Sequence, residues 1–371
     1  MKVPSTFALP SRRLAAPPRT AAGHQAQRSR ELDAVRGIAA MMVVMFHYTV
    51  RYGALWGDPA APFHATFGYL GVQVFFGVSG FVILMTLERC RTASDFVLAR
   101  ASRLFPAYWV AVLATFAVLL AFPLPDRVPS WRQGLVNLTM LQAFVSVPHV
   151  DGVYWSLEVE LVFYAWMLAL FAAGWMRHAR ALMALWLALS IATLLAALVA
   201  HRGVPMLASR YLLVDYSAFF SIGAAAYLDF RDRRIAPPTW GLFALAAVAG
   251  WLAGGLPGLA VAAGMVLLFA LLVRRKAGLL NLSPLVFLGT VSYPLYLLHQ
   301  NIGYVILRNL RAQGVDYGWA LALACVVTLA AATALTFGLE RPAQRRLRAW
   351  RDGRRPRVGQ IESAKRGSQA R

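Results

Sequence analysis

The sequence predicts an all-α fold, a polytopic bundle of about ten transmembrane helices, from three observations. The 371-residue chain is 59% hydrophobic and only 14% charged, a balance that soluble proteins of this length do not have. Apolar stretches long enough to cross a hydrocarbon layer of about 30 Å recur along most of the chain. Short runs of Lys and Arg separate these stretches, as the loops of a membrane protein do.

The predicted spans follow one another with short connections. The seventh and eighth are short and rich in glycine, and Gly254 and Gly255 join them, so this pair could instead form a hairpin or a re-entrant structure. The ten predicted spans are 34–52, 66–87, 104–123, 154–175, 181–200, 211–229, 238–253, 256–273, 284–307 and 317–338.

The distribution of basic residues predicts that both termini lie in the cytoplasm. With the N-terminus inside, all but seven of the 37 Lys and Arg residues fall on the cytoplasmic side, as the positive-inside rule requires. An even number of spans keeps both basic tails on that side. The seven residues on the outer side are Arg51, Arg127, Arg132, Arg202, Arg210, Arg308 and Arg311.

The net charge of +21 does not indicate a nucleic-acid-binding protein, because the basic residues are spread over several loops rather than gathered on one face. Residues 1–30 and 342–371 are polar and basic, so we expect disordered tails on either side of a membrane domain at 31–341. The histidines lack the spacing of metal ligands, and no metal site is predicted.

An arginine and a histidine share the first predicted span. If Arg36 lies at the membrane surface, a rise of about 1.5 Å per residue puts His47 roughly 16 Å deeper, near the middle of the hydrocarbon layer. An ionisable group is costly at that depth. His47 is therefore expected to belong to a functional site in a cavity lined by protein.

Other polar residues interrupt the next spans. Gln73 needs hydrogen-bond partners in the membrane and is a candidate for the lining of a polar cavity. Arg100 and Arg103 are three residues apart and share a helix face. They indicate either a positively charged anchor at the cytoplasmic surface or, together with Arg36, a clamp for phosphate groups.

Two ionisable residues lie in later spans. Glu160 is expected roughly 9 Å below the outer edge of the apolar layer, at a level close to His47, where a carboxylate can fix the tautomer of an imidazole and stabilise its cation. His299 is expected roughly 20 Å from the inner edge, either as a hydrogen-bonded packing residue or as a site residue. Pro294 frees backbone carbonyls near His299.

Several short motifs occur in a fixed order along the chain. They are Leu32-Asp33-Ala34-Val35-Arg36-Gly37, His47, Gly71-x-x-x-Phe75-Phe76-x-x-Ser79-Gly80-Phe81, Arg100-x-x-Arg103, Pro106-Ala107-Tyr108-Trp109, Trp155-Ser156-x-x-Val159-Glu160-x-x-Phe163-Tyr164 and Ser292-Tyr293-x-Leu295-Tyr296-Leu297-x-His299. Together they resemble the membrane acyltransferase-3 family, which includes bacterial O-antigen, exopolysaccharide and Nod-factor acylases.

The resemblance implies an O-acyltransferase in the bacterial inner membrane that uses cytoplasmic acyl-CoA, commonly acetyl-CoA, as a co-substrate and holds no permanent cofactor. It implies an acceptor hydroxyl on a cell-surface or exported carbohydrate, such as a lipopolysaccharide or another polysaccharide. It also implies functional roles for the residues that match Arg36, His47, Arg100 and Arg103. Gln73 departs from the family, which often has Asp at this position.

The resemblance and the chemistry of the residues together give a working hypothesis. The three arginines hold the phosphates of coenzyme A, His47 acts as general base, and Glu160 orients His47 or offsets its charge. A variant has His47 carry the acyl group as a covalent relay. The predicted substrate contacts or oxyanion donors are Gln73, Ser292, Tyr293 and His299.

Two other functions stay open at this point. Ionisable residues inside a membrane also serve proton-coupled transport, so a transporter or flippase for a lipid-linked saccharide is the main alternative. The arginine pair and the lack of an obvious inverted repeat favour the enzyme. A receptor or scaffold built on the same bundle is the second alternative.

Overall fold

The structure is a computed structural model that describes residues 19–230 and 232–353. Every regular element in these ranges is helical, which confirms the all-α prediction. Ten helices of 13 or more residues occur in the described ranges, and we number them in chain order. They are α1 (Arg19–Phe46), α2 (Gly71–Leu87), α3 (Ala93–Ala121), α4 (Trp155–Ala172), α5 (Ala179–Val199), α6 (Ser217–Asp229), α7 (Pro237–Val273), α8 (Ser283–Ala312), α9 (Tyr317–Leu335) and α10 (Arg341–Gly353).

Eight helical stretches in the described part of the chain are long and apolar enough to cross a membrane, so the chain is a multi-pass membrane protein. The helix α8 is also long enough at 30 residues, but its tyrosines and the sequence His299-Gln300-Asn301 make it more polar than the other eight. The eight stretches are Arg30–Trp56, Gly68–Leu87, Ala93–Ala121, Gly152–Ala172, Trp175–Val199, Ala208–Asp229, Pro237–Val273 and Tyr317–Leu347. The count of about ten spans stays a prediction.

The predicted seventh and eighth spans form a helical hairpin within α7. Gly255 has backbone angles of φ 60° and ψ −147°, which interrupt the helix and which glycine adopts without steric cost. A Cβ on Gly250 would lie 3.2 Å from the Cβ of Ala262, whereas a straight helix would hold these residues about 18 Å apart. The chain therefore turns back at Gly255, and the two halves of α7 pack together.

Helices extend into both segments for which the sequence predicts disorder. The helix α1 includes residues 19–30, and α10 includes residues 342–353. The remainder of the predicted tails, 1–18 and 354–371, lies outside the described residues. The domain limits at 31 and 341 and the cytoplasmic position of both termini stay predictions.

The helices α1 and α8 pack backbone against backbone. A Cβ on Gly289 would overlap the carbonyl oxygen of Asp33, and a Cβ on Gly37 would lie 2.6 Å from the amide nitrogen of Gly289. Glycine permits this approach because it has no side chain, which is a common way for membrane helices to associate. The contact fixes the register of the two helices. His299 lies on α8, and His47 directly follows the last residue of α1.

Candidate active site

Two histidines that are 252 residues apart in the chain meet between α1 and α8. Nε2 of His299 lies 3.2 Å from Nδ1 of His47, and the ring centroids are 4.9 Å apart. His299 is fully buried. His47 begins a π-helical turn, His47–Arg51, that follows α1, and such turns are frequent at functional sites.

The backbone carbonyl beside each histidine ring determines which ring nitrogen carries the proton. Nδ1 of His299 lies 2.9 Å from the carbonyl oxygen of Tyr296, and a carbonyl only accepts, so this nitrogen carries the proton and Nε2 accepts. Nδ1 of His47 lies 2.9 Å from the carbonyl oxygen of Val43 and is protonated for the same reason. In the neutral ring, Nε2 of His47 is then the unprotonated nitrogen that a general base needs.

The three predicted phosphate ligands line one cavity. Arg36 from α1 and Arg100 and Arg103 from α3 border a space of about 130 Å³ between α1, α2, α3, α4 and α8. We call it the arginine cavity. Its lining also includes Ser79, Glu160, Tyr164, Tyr293 and Tyr296.

Each guanidinium in the arginine cavity has a different environment. Arg103 forms an ion pair with the buried Glu340, and its Cζ lies 5.1 Å from the ring centroid of Tyr293. Arg36 pairs with Asp33 at 3.3 Å. The side chain of Arg100 donates to Thr86 at 3.3 Å, but its buried Nε has no hydrogen-bond partner in the described part of the chain. The cavity thus offers donor capacity that the protein itself leaves unused.

Glu160 has hydrogen-bond partners other than His47 in the structure, so its predicted role in orienting His47 or offsetting its charge stays a prediction. Oε1 of Glu160 accepts hydrogen bonds from the hydroxyls of Ser79 and Tyr164, both at 2.6 Å. Glu160 projects from α4 into the arginine cavity. The side-chain nitrogen that lies beside Nδ1 of His47 is Nε2 of His299 on α8.

The predicted substrate contacts divide into two groups. Tyr293 lines the arginine cavity, and its hydroxyl donates to the carbonyl oxygen of Leu104 at 3.0 Å. Ser292 is buried and donates to a carbonyl of its own helix at 2.8 Å. Gln73, with its amide oriented to donate, hydrogen-bonds the backbone carbonyls of Tyr69 and Leu70 just before α2, both at 3.1 Å. Ser292, Gln73 and His299 do not line the arginine cavity, and their roles as substrate contacts stay predictions.

A second polar cavity, of about 420 Å³, lies near the other end of the first helical stretch. Arg36 and Trp56 are twenty residues apart on this stretch, about 30 Å along its axis. We call the second space the tryptophan cavity. Its lining includes Trp56, Asp126, Arg127, Gln133, His149 and Asn301.

One tyrosine ring separates the histidine pair from each cavity. The ring of Tyr296, which lines the arginine cavity, lies 5.8 Å from the ring of His299, centroid to centroid. The ring of Tyr304 lies 6.3 Å from that of His47 and 5.0 Å from that of Trp56. The histidine pair therefore lies between the two cavities.

A buried carboxyl group supports the wall of the tryptophan cavity. Asp151, in the loop before α4, is fully buried and accepts hydrogen bonds from the amide nitrogens of Val153 at 3.2 Å and Asn301 at 3.0 Å. Burial raises the pKa of Asp151 to about 7. Burial also lowers the pKa of the nearby His149 from its ordinary value.

The sequence analysis missed four residues of this arrangement: Trp56, Arg127, Asn301 and Glu340. A signal existed for Glu340, which is an acidic residue directly after the last apolar span and directly before Arg341. Asn301 follows His299 by two residues on a helix that was already suspected. Nothing in the sequence alone brings Arg127 and Trp56 together, because their contact depends on the path of a loop.

The fold and the site define a multi-pass membrane protein with ionisable groups in its interior. The chain belongs to the membrane acyltransferase-3 family, because the model of the family's acyltransferase domain matches residues 29–337. It is accordingly an O-acyltransferase.

Comparison with known proteins gives relatives of the same kind. One is the exopolysaccharide production protein ExoZ of Rhizobium meliloti (strain 1021), 33% identical over 109 residues, or 28% of this chain and 34% of that protein. A putative membrane-bound transacylase, BcsY, of Komagataeibacter xylinus is 29% identical over 81% of this chain and 80% of its own length. An O-acetyl transferase of Shigella phage Sf6 is 30% identical over 37% of this chain and 44% of that protein. No solved structure matches the chain significantly.

Proposed function

We propose that this protein transfers an acyl group, most simply acetyl, from cytoplasmic acyl-CoA to a hydroxyl of an exported or cell-surface carbohydrate in a bacterial inner membrane. The observation that carries the proposal is the contact between His47 and His299 between two cavities, one of which is lined by three arginines. The names of the relatives, which include an exopolysaccharide production protein and an O-acetyl transferase, support a carbohydrate acceptor.

The arginine cavity would receive the donor. Guanidinium groups form paired, charge-assisted hydrogen bonds with phosphate, and the Nε of Arg100 is buried without a partner in the described structure. A space of about 130 Å³ is too small for the whole of coenzyme A. The phosphates would therefore bind at the arginines while the pantetheine arm extends inward, and the ring of Tyr296 would turn aside to let the thioester reach the histidines.

His47 would act as general base in a direct transfer. Its Nε2 takes the proton of the acceptor hydroxyl while the hydroxyl oxygen attacks the acyl carbon. The tetrahedral intermediate then releases the coenzyme A sulfur, which receives the proton from His47 and leaves as a thiol. His299 stabilises the transient imidazolium by accepting a hydrogen bond from Nδ1 of His47. General base catalysis of this kind contributes about 10²- to 10⁴-fold to a rate.

A covalent relay uses the same atoms in another order. Nε2 of His47 would attack the thioester carbon first, and coenzyme A would leave as a thiolate. The acceptor hydroxyl would then attack the acyl-imidazolium, its proton would convert the thiolate to a thiol, and His47 would return to its neutral form. The relay predicts ping-pong kinetics and an acyl group that can be trapped on His47. The direct transfer predicts sequential kinetics and no such adduct.

The test is transfer of label in membranes that contain the full chain. Membranes are incubated with acetyl-CoA labelled in its acetyl group and with surface glycans of the host, and the glycans are isolated and analysed by mass spectrometry for new esters. We expect esterification that disappears in His47→Ala and persists in His64→Ala, an exposed histidine in a loop. Movement of saccharide across the membrane without any transfer of label would replace the enzyme with the transporter.

A further inference from the structure

The tryptophan cavity has the composition of a sugar-binding site. The indole of Trp56 lines this space together with the planar polar side chains of Arg127, Gln133, His149 and Asn301. An apolar face of a pyranose packs against an aromatic ring, while its hydroxyls need donors and acceptors in fixed positions. The volume of about 420 Å³ is within the range of small-molecule sites, which is about 300–1,000 Å³.

Arg127 brings a positive charge to this cavity. Neutral groups hold its guanidinium in place. Its guanidinium donates to Oδ1 of Asn301 at 3.1 Å, and its Cζ lies 5.7 Å from the ring of Trp56 and 5.6 Å from that of Tyr304. Arg127 forms no ion pair with any residue that the structure describes. A fixed guanidinium without an acidic partner favours an anionic ligand.

The surroundings add to this positive potential. The Cζ of Arg308 lies 6.0 Å from the ring of Trp56, so two guanidiniums adjoin the same indole. Asp58 is engaged by Arg311 at 2.8 Å. Asp151 interacts electrostatically with Arg127, but burial raises the pKa of Asp151 to about 7, so this carboxyl group carries only part of a negative charge at neutral pH. Asp126 lines the cavity, but it is exposed, so solvent screens its charge more than that of the partly buried Arg127.

The cavity also lies close to the reacting nitrogen. The ring of Tyr304 contacts both Trp56 and His47. The hydroxyl of Tyr304 is buried and has no hydrogen-bond partner in the described part of the chain. The ring of Tyr304 would therefore lie between His47 and a hydroxyl of a sugar bound in the tryptophan cavity.

From these contacts we infer that the tryptophan cavity is the acceptor site and that it selects a sugar bearing an anionic group, a carboxylate or a phosphate. Trp56 packs against the sugar ring, and Arg127 binds the anionic group. This inference rests on the proposed function, which supplies the acceptor but does not specify its charge.

The experiment measures binding without the acyl donor. The purified full chain in detergent is dialysed to equilibrium against three labelled β-glucan pentasaccharides: one neutral, one with a single glucuronate and one with a single phosphate. We expect one or both anionic probes to bind about tenfold more tightly than the neutral probe, and this preference should decline at high salt. The probe that binds most tightly identifies the anionic group as carboxylate or phosphate.

Variants assign the two contributions. Arg127→Ala should abolish the preference for the anionic probes, and Arg127→Lys should retain part of it. Trp56→Ala should weaken binding of all three probes, whereas Trp56→Phe should largely preserve it. Arg132→Ala is the matched control, because Arg132 is an exposed arginine on the neighbouring helix Trp131–Asn137 that does not line the cavity.

Equal binding of the neutral and anionic probes to the unaltered protein would overturn the inference, as would the absence of binding by all three. Anionic preference that survives Arg127→Ala and Trp56→Ala would place the acceptor elsewhere and also overturn it. Acyl transfer to the same probes is measured separately. Selective binding without any transfer would count against the proposed function alone, and transfer without selective binding would count against this inference alone.

Discussion

Nε2 of His299 lies 3.2 Å from Nδ1 of His47, and this contact joins two helices whose backbones touch about ten residues away at Gly289. Each ring also lies beside a carbonyl of its own helix. The carbonyls determine which nitrogens carry protons, and the helix contact determines that the rings meet. As a result, the lone pair of the neutral His47 ring lies on Nε2, the nitrogen that His299 does not contact.

The first prediction compares the two histidines. His47→Ala removes the general base and should lower kcat about 10²- to 10⁴-fold. His299→Ala should lower kcat less, because the carbonyl oxygen of Val43 still accepts from Nδ1 of His47. Initial rates at saturating acetyl-CoA and acceptor provide the measurement. If His299→Ala proved as damaging as His47→Ala while the protein stayed folded, the supporting role assigned to His299 would be contradicted.

The second prediction concerns Glu160, whose hydrogen bonds are to Ser79 and Tyr164 in the arginine cavity. Glu160→Gln keeps an acceptor oxygen for both hydroxyls but removes the negative charge beside the arginines. We expect a changed KM for the acyl donor, with kcat lowered less than tenfold. A decrease in kcat as large as that of His47→Ala would support the role in orienting His47 that the sequence suggested.

The sequence was sufficient to predict the class of fold and the three arginines of the arginine cavity. Helical spans follow from apolar length, and Arg36, Arg100 and Arg103 meet because positively charged residues gather at the same end of neighbouring helices. Depth along a helix is also predictable from its rise, which is why His47 and His299 were both expected deep in the bundle.

The rotation of a helix about its axis is not predictable from depth alone. Glu160 and His47 were expected at similar levels, but Glu160 lies on the face of α4 that lines the arginine cavity, and the ring beside His47 belongs to α8. Glycine contacts between helices set such rotations, and they depend on which helices are neighbours. The tryptophan cavity escaped prediction for a related reason, since Arg127 comes from a loop.

The third prediction concerns Arg103. Arg103→Ala should raise the KM for the acyl donor about tenfold or more and change the KM for the acceptor little, because Arg103 lines the arginine cavity. Arg103→Lys should rescue only part of this loss, since an ammonium lacks the forked geometry of guanidinium. Kinetics with each substrate varied in turn provide the measurement. An unchanged donor KM would remove Arg103 from donor binding.

Glu340, the partner of Arg103, supplies a companion measurement. Glu340→Gln leaves the partly buried guanidinium of Arg103 without its countercharge, which should destabilise the protein. Thermal unfolding of the double variant Arg103→Ala, Glu340→Gln should therefore resemble that of the less stable single variant rather than the sum of both losses. Additive losses would show that the two side chains do not act as a pair.

The fourth prediction tests the contact between α1 and α8. Gly289→Ala would force a methyl group into the carbonyl oxygen of Asp33, and overpacking of this kind costs about 1–3 kcal/mol. We expect lower thermal stability and a reduced kcat, because separation of the helices also separates His47 from His299. Gly241→Ala is the matched control, as a Cβ there would meet nothing within 4 Å. Equal effects of the two substitutions would contradict the proposed packing.

The fifth prediction concerns pH and Asp151, which lies in the loop before α4. The pKa of Asp151 is raised from its ordinary value of 3.8 to about 7 by burial, so the folded protein holds a proton that the unfolded chain releases between these values. The contribution of Asp151 to the stability of the folded protein is complete below about pH 4 and is lost as the pH rises to about 7. Asp151 by itself should therefore lower the apparent Tm of the purified protein as the pH rises from about 4 to about 7, whereas the lowered pKa of His149 acts in the opposite direction.

The variant Asp151→Asn isolates this contribution, because asparagine does not titrate. The variant should be less stable at pH 5, since its amide can accept only one of the two backbone hydrogen bonds that Asp151 accepts. Its Tm should nevertheless fall less steeply with pH than that of the unaltered protein. Asp126→Asn, at an exposed neighbouring carboxylate, should leave the slope unchanged. A slope that is identical in the Asp151→Asn protein would show that the proton held by the folded state belongs to another group.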